Sequence, residues 1–293
     1  MRRWLSIAKA TALEMLSEPL SLLLLLAALA ISTLAPAFHY HQFGEPTRIA
    51  RDAGFSALFT CGTAFAVFLT LRAFRREIET GTAQMALSHP ISRAGFFISK
   101  TLGAGAAYAI FALIVAANAL TVTRGAELGA ELAEQSGDIA KLWGPSFAIG
   151  IATAIWPLAL AAALNRFLHF RFVLTALVTA LVTALVGAAY RFSPALALRL
   201  WPVALLIAMP TMALLAATAA ASVRLKTNAA ATAAGVIFAA MLPAVGNYYL
   251  PDALSNGGSL SWGYVALAAA AMAPATAAFV ILGISFFNGR DIA

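Results

Sequence analysis

The chain carries very little charge. Of its 293 residues only 11% are Asp, Glu, Lys or Arg, and 62% are apolar. A soluble domain runs nearer 25% charged and 45–50% apolar, and a soluble core of this length has no room for so much apolar surface. The scarcity excludes soluble enzymes, extracellular modules and disordered chains, and it points to an integral membrane protein. Cysteine occurs once, as Cys61, which excludes an internal disulfide framework and a thiolate metal cluster. No G-x-x-x-x-G-K-[ST] stretch is present, so the chain has no P-loop with which to bind ATP itself. Runs of alternating polarity are missing too, which leaves helices as the spanning elements. The net charge of +7 is then a topology signal and not a nucleic-acid footprint.

What is present is a series of apolar segments. A spanning helix needs about 20 mostly apolar residues, and eight stretches come close: 20–38, 54–71, 101–122, 146–165, 172–190, 202–222, 229–249 and 263–287. The expected fold is an all-α polytopic membrane helix bundle forming one domain over 1–293. The Ala-rich pair within 202–249 can also be read as a re-entrant hairpin, which leaves six spans. Pro157, Pro202, Pro210, Pro243 and Pro274 lie in or at the ends of spans, where neighbouring helices satisfy the freed carbonyls. With the N-terminus in the cytoplasm, the inner side holds Arg2, Arg3, Lys9, Arg72, Arg75, Arg76, Arg93, Lys100, Arg166, Arg171, Arg224, Lys226 and Arg290. The outer side holds only Arg48, Arg51, Arg124, Lys141, Arg191 and Arg199. The positive-inside rule therefore favours this orientation about two to one, with both termini cytoplasmic in a bacterial inner membrane.

The first 18 residues read as an interfacial helix. Trp4, Leu5, Ala8, Ala12, Met15 and Leu16 fall on one arc, and Arg2, Arg3, Ser6, Lys9, Glu14 and Ser17 on the other, with Ile7 and Leu13 as intruders there. Such a helix lies flat among the headgroups, and Pro19 bends the chain into the first span. Ala35-Pro36-Ala37 offers a weak cleavage match, but Glu14 and Glu18 in the leader favour a retained span.

The middles of the spans contain no Asp, Glu, Lys or Arg. Ion- and proton-coupled transporters place such groups at depth because they form the relay. The four aspartates, Asp52, Asp138, Asp252 and Asp291, are scattered, so no Mg²⁺ cluster of the phosphotransferase kind is expected. His39, His41, His89 and His169 fall in loops or at span ends, which removes an intramembrane Ser–His pair. His39 and His41, with only Glu45 nearby, read as interfacial residues and not as a metal site. Asn118 and Asn247 read as interhelical hydrogen-bonding residues. The outer loop 123–145 reads as a short acidic helix carrying Glu127, Glu131 and Glu134. No catalytic residue and no cofactor of the chain's own is expected.

The inner loop 72–100 is the most ordered stretch. Gly81-Thr82 ends the helix that leaves the membrane and starts another, with Thr82 as N-cap. Ala83 to Leu87 forms a short helix that exposes Met85 and Leu87, and Pro90 stops it. Ser92-Arg93 leads back to the bilayer and Lys100 marks its boundary. A short helix with apolar knobs and basic flanks suits a groove on another protein.

The series Glu77-x-Glu79-x-Gly81-Thr82, Leu87-Ser88-x-Pro90-x-Ser92-Arg93 and Lys100 resembles the first cytoplasmic loop of ABC-2-type ABC transporter permeases. It is most similar to the branch that includes the nitrous-oxide-reductase accessory permease. Glu77 takes the place of the family acid in E-x-x-x-G-T. The likeness is best over residues 1–125. Many relatives have six spans where eight are read here. The resemblance implies a coupling helix at 82–88 seated on a separate ATP-binding subunit. It also implies two such subunits holding ATP and Mg, a second permease copy or homologue, and export as the direction. Asn165–Arg171 or Ser222–Asn228 is the expected second contact. An outer-side partner protein is a further expectation. Spans this poor in polar groups suit a lipid, a hydrophobic peptide or another amphipathic solute better than a bare ion. The alternative is a passive membrane scaffold or assembly factor, which explains the missing charge but not the ordered loop. An intramembrane enzyme or secondary transporter is disfavoured by the same missing charge.

Overall fold

The computed structural model describes residues 2–34, 46–80, 91–137, 144–190, 194–225, 227–244 and 260–289. Every regular element among them is helical. In chain order they are α1 (Arg2–Ser17), α2 (Pro19–Leu34), α3 (Pro46–Ala64), a π-helical turn (Phe65–Leu69) and α4 (Thr70–Glu79). Then follow α5 (Arg93–Ser136), α6 (Gly144–Leu168), α7 (Phe172–Tyr190), α8 (Pro194–Arg224), α9 (Thr227–Ala244) and α10 (Trp262–Asn288). Six stretches are long and apolar enough to cross a bilayer: Thr47–Glu77, Arg93–Ser136, Ile151–Leu168, Phe172–Ala189, Leu200–Arg224 and Trp262–Asn288. The pair α1 and α2 passes the same test only jointly, bent by 62°. The chain is a multi-pass helical membrane protein.

The elbow between α1 and α2 has a local cause. Pro19 lacks an N–H and so opens α2 at no cost in hydrogen bonds. Ser21 then collects the carbonyls freed by the bend. Its hydroxyl donates to Glu18 O at 2.7 Å and reaches Leu16 O at 2.9 Å.

Helices α5 and α8 form the centre. Inside the protein lie 72% of the apolar window of α5 and 78% of that of α8, against 11% for α10. Large apolar side chains such as Ile155, Trp156, Val182, Leu267 and Ile281 point outward. In water this surface would drive association; in a bilayer the acyl chains solvate it. The interior is built from small residues at the crossings. At Gly103 of α5 an added Cβ would overlap the backbone of Ala8 in α1, and at Gly283 of α10 it would overlap the ring of Phe97. Both glycines are close-approach residues. Among the buried polar residues, Asn118 of α5 donates from Nδ2 to Ser32 Oγ of α2 at 2.8 Å.

Two sequence expectations change. The acidic stretch 123–136 is no separate helix but the continuation of α5, which runs 44 residues without a break, about 65 Å at 1.5 Å per residue. That is twice the roughly 30 Å hydrocarbon core, so α5 stands well clear of the membrane. Arg124 steadies the projection by pairing with Glu127 at 2.8 Å and Glu131 at 3.8 Å. The apolar arc of α1 is also divided. Met15 and Leu16 are buried against the bundle, as is Thr11 between them and Ala8, while Trp4 and Leu5 remain outside.

Candidate functional site

The two stems of segment 81–90 are α4 and the start of α5. Of the residues singled out from the sequence, Glu77, Glu79, Ser92 and Arg93 fall on these stems. Gly81, Thr82, Met85, Leu87, Ser88 and Pro90, and with them the predicted helix 82–88, lie outside the described residues, as do His39, His41, Glu45 and Asn247.

Helix α4 is strongly two-sided, because Thr70-Leu71-Arg72-Ala73-Phe74-Arg75-Arg76-Glu77 repeats apolar residues at one-turn spacing. Leu71, Ala73 and Phe74 are buried. It ends at Thr80, whose backbone N–H donates to Arg76 O at 2.9 Å, as does its hydroxyl at 2.7 Å. On the returning stem Ser92 is an N-cap: its Oγ accepts from the N–H of Gly95 at 3.1 Å. Segment 81–90 thus leaves from one capped helix end and enters another.

The stems are locked together by Glu77 and Lys100, which form an ion pair. Lys100, placed by the sequence at the membrane boundary, is enclosed by protein at 1% exposure; Glu77 keeps 26%. The ammonium also faces the rings of Phe74 at 5.3 Å and Phe96 at 6.0 Å. A cation buried this deeply is tolerated only when paired. Below it the aromatic rings of three helices meet. Phe74 of α4 lies 5.5 Å from Phe97 of α5, and Phe96 stacks on Phe287 of α10 at 5.7 Å.

Further bonds tie the stems to the other helix ends. Arg75 Nη1 donates to Leu225 O, just past α8, at 2.9 Å, and Nη2 pairs with Glu79 at 3.0 Å. Arg93 Nη1 donates to Asn288 O at the end of α10, at 3.2 Å. Arg72 pairs with Glu18 at 3.3 Å, and Arg76 reaches Glu14 at 3.6 Å and Glu18 at 3.8 Å. These elbow pairs are half open to solvent and worth about 0–1 kcal/mol each; their effect is to set register. Burial pushes the Glu14 carboxyl up from its ordinary value, with Lys100 opposing. Through these contacts the ends of α1, α4, α5, α8 and α10 meet.

Sequence reasoning missed the elbow pairs. The signal was there: Glu14 and Glu18 are four residues apart, as are Arg72 and Arg76, so two helices carry complementary charges at one-turn spacing. Of the two expected second contacts, the turn after α8 is joined to α4 through Leu225. The turn 169–171 is separate, with His169 in the left-handed region at φ 55°. There Asn165 Nδ2 donates to Phe170 O at 2.6 Å, and Phe167 and Phe170 are exposed. Among the described residues no three His, Cys, Asp or Glu side chains converge as metal ligands.

Comparison with protein-family models, with curated proteins and with solved structures finds no match.

Proposed function

We propose that the chain is the membrane-spanning permease subunit of an ATP-driven transporter of the ABC-2 type, working as an exporter. Segment 81–90 is its seat on a separate ATP-binding subunit. The observation that carries this reading is the joint at the stems. Glu77–Lys100 links the two stems, Arg75 reaches the end of α8 and Arg93 the end of α10. A displacement of 81–90 is therefore passed to the central helices and to α1 together. A passive scaffold has no need of such a linkage.

In this reading ATP and Mg belong to two partner subunits, and two permease copies face each other in the bilayer. Coupling residues are Glu77, Glu79, Gly81, Thr82, Met85, Leu87, Ser88, Pro90, Ser92 and Arg93. Eight crossings follow if α2 and α9 each span, and both termini are then in the bacterial cytoplasm. Helix α1 lies flat at the inner surface. A 62° bend from that plane leaves α2 tilted by about 28°, within the usual 0–40° range for spans. Trp4, Leu5 and Leu13, outward on α1, meet the headgroup region.

The test is retention of an ATP-binding partner by loop variants. Glu77→Lys and Gly81→Pro are expected to insert normally but to lose the partner on purification. Wild-type retention and transport by both variants would refute the coupling role.

A further inference from the structure

Helices α6 and α7 are joined by a turn that is exposed and yet firmly built. Every residue from Asn165 to Phe172 is exposed. Phe167, Leu168, Phe170 and Phe172 among them are large and apolar, with Phe167 at 76%. Arg166 and Arg171 are basic, and no acid stands between them. A tip of this composition is poorly suited to water. Its backbone is also closed on itself. The His169 N–H donates to Asn165 O at 3.1 Å, and Asn165 Nδ2 donates to Phe170 O at 2.6 Å. Thr175 donates to Arg171 O from its N–H at 3.0 Å and from its hydroxyl at 2.9 Å. His169 takes the left-handed conformation at φ 55° to let the chain reverse, at a steric cost to its Cβ. Turn carbonyls satisfied from within are what a chain needs where water is scarce.

Span length fixes where this turn stands. Helix α7 has 19 residues, Phe172–Tyr190, which is about 28 Å against a hydrocarbon core of roughly 30 Å. Phe172 therefore stands at the edge of the hydrocarbon. The Thr179 hydroxyl of α7 reaches Pro157 O of α6 at 3.2 Å, so the two helices run side by side back to the turn. Only His169, Phe170 and Arg171 lie between Leu168 and Phe172, and a reversal of that length projects about 5 Å. The headgroup layer is about 5–7 Å deep on each side, so the turn ends inside it. The acyl-facing surface also runs into the turn unbroken. Phe167 lies about three helical turns beyond Trp156, and both point outward from the same face of α6.

We propose that the α6–α7 turn is an anionic-lipid site at the membrane surface. Phe167, Leu168 and Phe170 sit at the boundary of headgroups and acyl chains, and Arg166 and Arg171 meet the lipid phosphates. Apolar and cationic side chains interleaved in one short turn match the two chemistries of that boundary. The turn is then occupied by lipid and does not serve as a second seat for a partner subunit. The site does not depend on the transporter reading and holds for any role of the chain.

The test places bimane on Phe170→Cys, or on Phe167→Cys, in the Cys61→Ala full chain reconstituted in lipid nanodiscs. Ser136→Cys, at the exposed end of α5, is the aqueous reference. In phosphatidylcholine the turn label is expected to be quenched by brominated acyl chains and sheltered from the aqueous iodide that quenches the reference. In mixtures with one lipid brominated at a time, phosphatidylglycerol is expected to be favoured over phosphatidylcholine at the label by about fivefold per arginine. Arg166→Gln with Arg171→Gln is expected to bring the two lipids to parity while the shelter from iodide remains. All the substituted turn residues are exposed, and two label positions guard against a local effect of either. A turn label that iodide quenches as freely as the reference overturns the proposal, as does equal quenching by the two lipids with both arginines present. A label sheltered from iodide and from brominated chains alike is covered by protein, a partner subunit or a second copy, and the proposal fails.

Discussion

Replacing Glu77 by Gln removes one partner of an enclosed ion pair and leaves the other in place. Lys100 is 1% exposed, so its ammonium has no route to bulk water. Stranding a buried charge costs about 3–5 kcal/mol. Phe74 and Phe96 offer a cation–π attraction of roughly 0.5–2 kcal/mol, but they offer it in the wild type too and compensate nothing new. Because Glu77 is 26% exposed, some water follows the glutamine in, and the low end, about 3 kcal/mol, applies. Lys100→Met is expected to cost less, about 1 kcal/mol, since the remaining carboxylate rehydrates and methionine fills the space between the two rings. Glu77→Gln with Lys100→Met removes both charges and is expected to recover most of the loss. At about 2–4 °C per kcal/mol for a chain of this size, Glu77→Gln melts roughly 6–12 °C below wild type. The assay is the fraction that stays monodisperse on size exclusion after heating in detergent. A Glu77→Gln protein within 2 °C of wild type, or a double variant as damaged as the single, would refute the argument.

Other perturbations test other parts of the account. Gly103→Val places side-chain atoms against the backbone of Ala8; it is expected to detach α1 from α5, read as protease sensitivity confined to the first 18 residues. Asn118→Leu loses the bond to Ser32, worth about 0.6–1.7 kcal/mol in a membrane, and is expected to lower the midpoint by a few degrees with insertion unchanged; a fall beyond 10 °C would mean a larger polar network. Met85→Cys, with Cys61 replaced by Ala, is expected to react with an impermeant maleimide only from the cytoplasmic side. Labelling from outside would reverse the topology.

Much of this fold is written in apolar run length. Segments 101–122, 146–165, 172–190, 202–222 and 263–287 each fall within a described helix, and 54–71 falls within the continuous helical stretch Thr47–Glu77 that joins α3, the π-helical turn and α4, because a run of about 20 apolar residues has no other stable form in lipid. Run length says nothing about where a helix stops outside the membrane, and so it does not reveal that α5 continues through the acidic stretch to Ser136. It also says nothing about which face of a helix meets protein. The amphipathic wheel marked Trp4 and Met15 alike as apolar, yet Met15 is buried and Trp4 is not, because α1 docks at Gly103 rather than resting wholly on lipid. Glu77 stands out in the sequence only through the resemblance of its loop to a family pattern; the cap that Ser92 makes on α5 is a local signal that went unread. The enclosure of Lys100 was not legible, because it depends on Phe74, Phe96 and Phe287, which come together only when α4, α5 and α10 are packed.

The central claim is that motion of an ATP-binding partner enters the bundle through segment 81–90. The most direct measurement is ATP hydrolysis by the complex of this chain with the ATP-binding protein encoded beside its gene, co-expressed and purified in mild detergent through a tag on this chain. The account predicts a stable complex that hydrolyses ATP, and loss of the partner from it with Gly81→Pro. A chain that purifies alone, with no ATP-binding partner under the same conditions, would contradict the account and favour a passive scaffold.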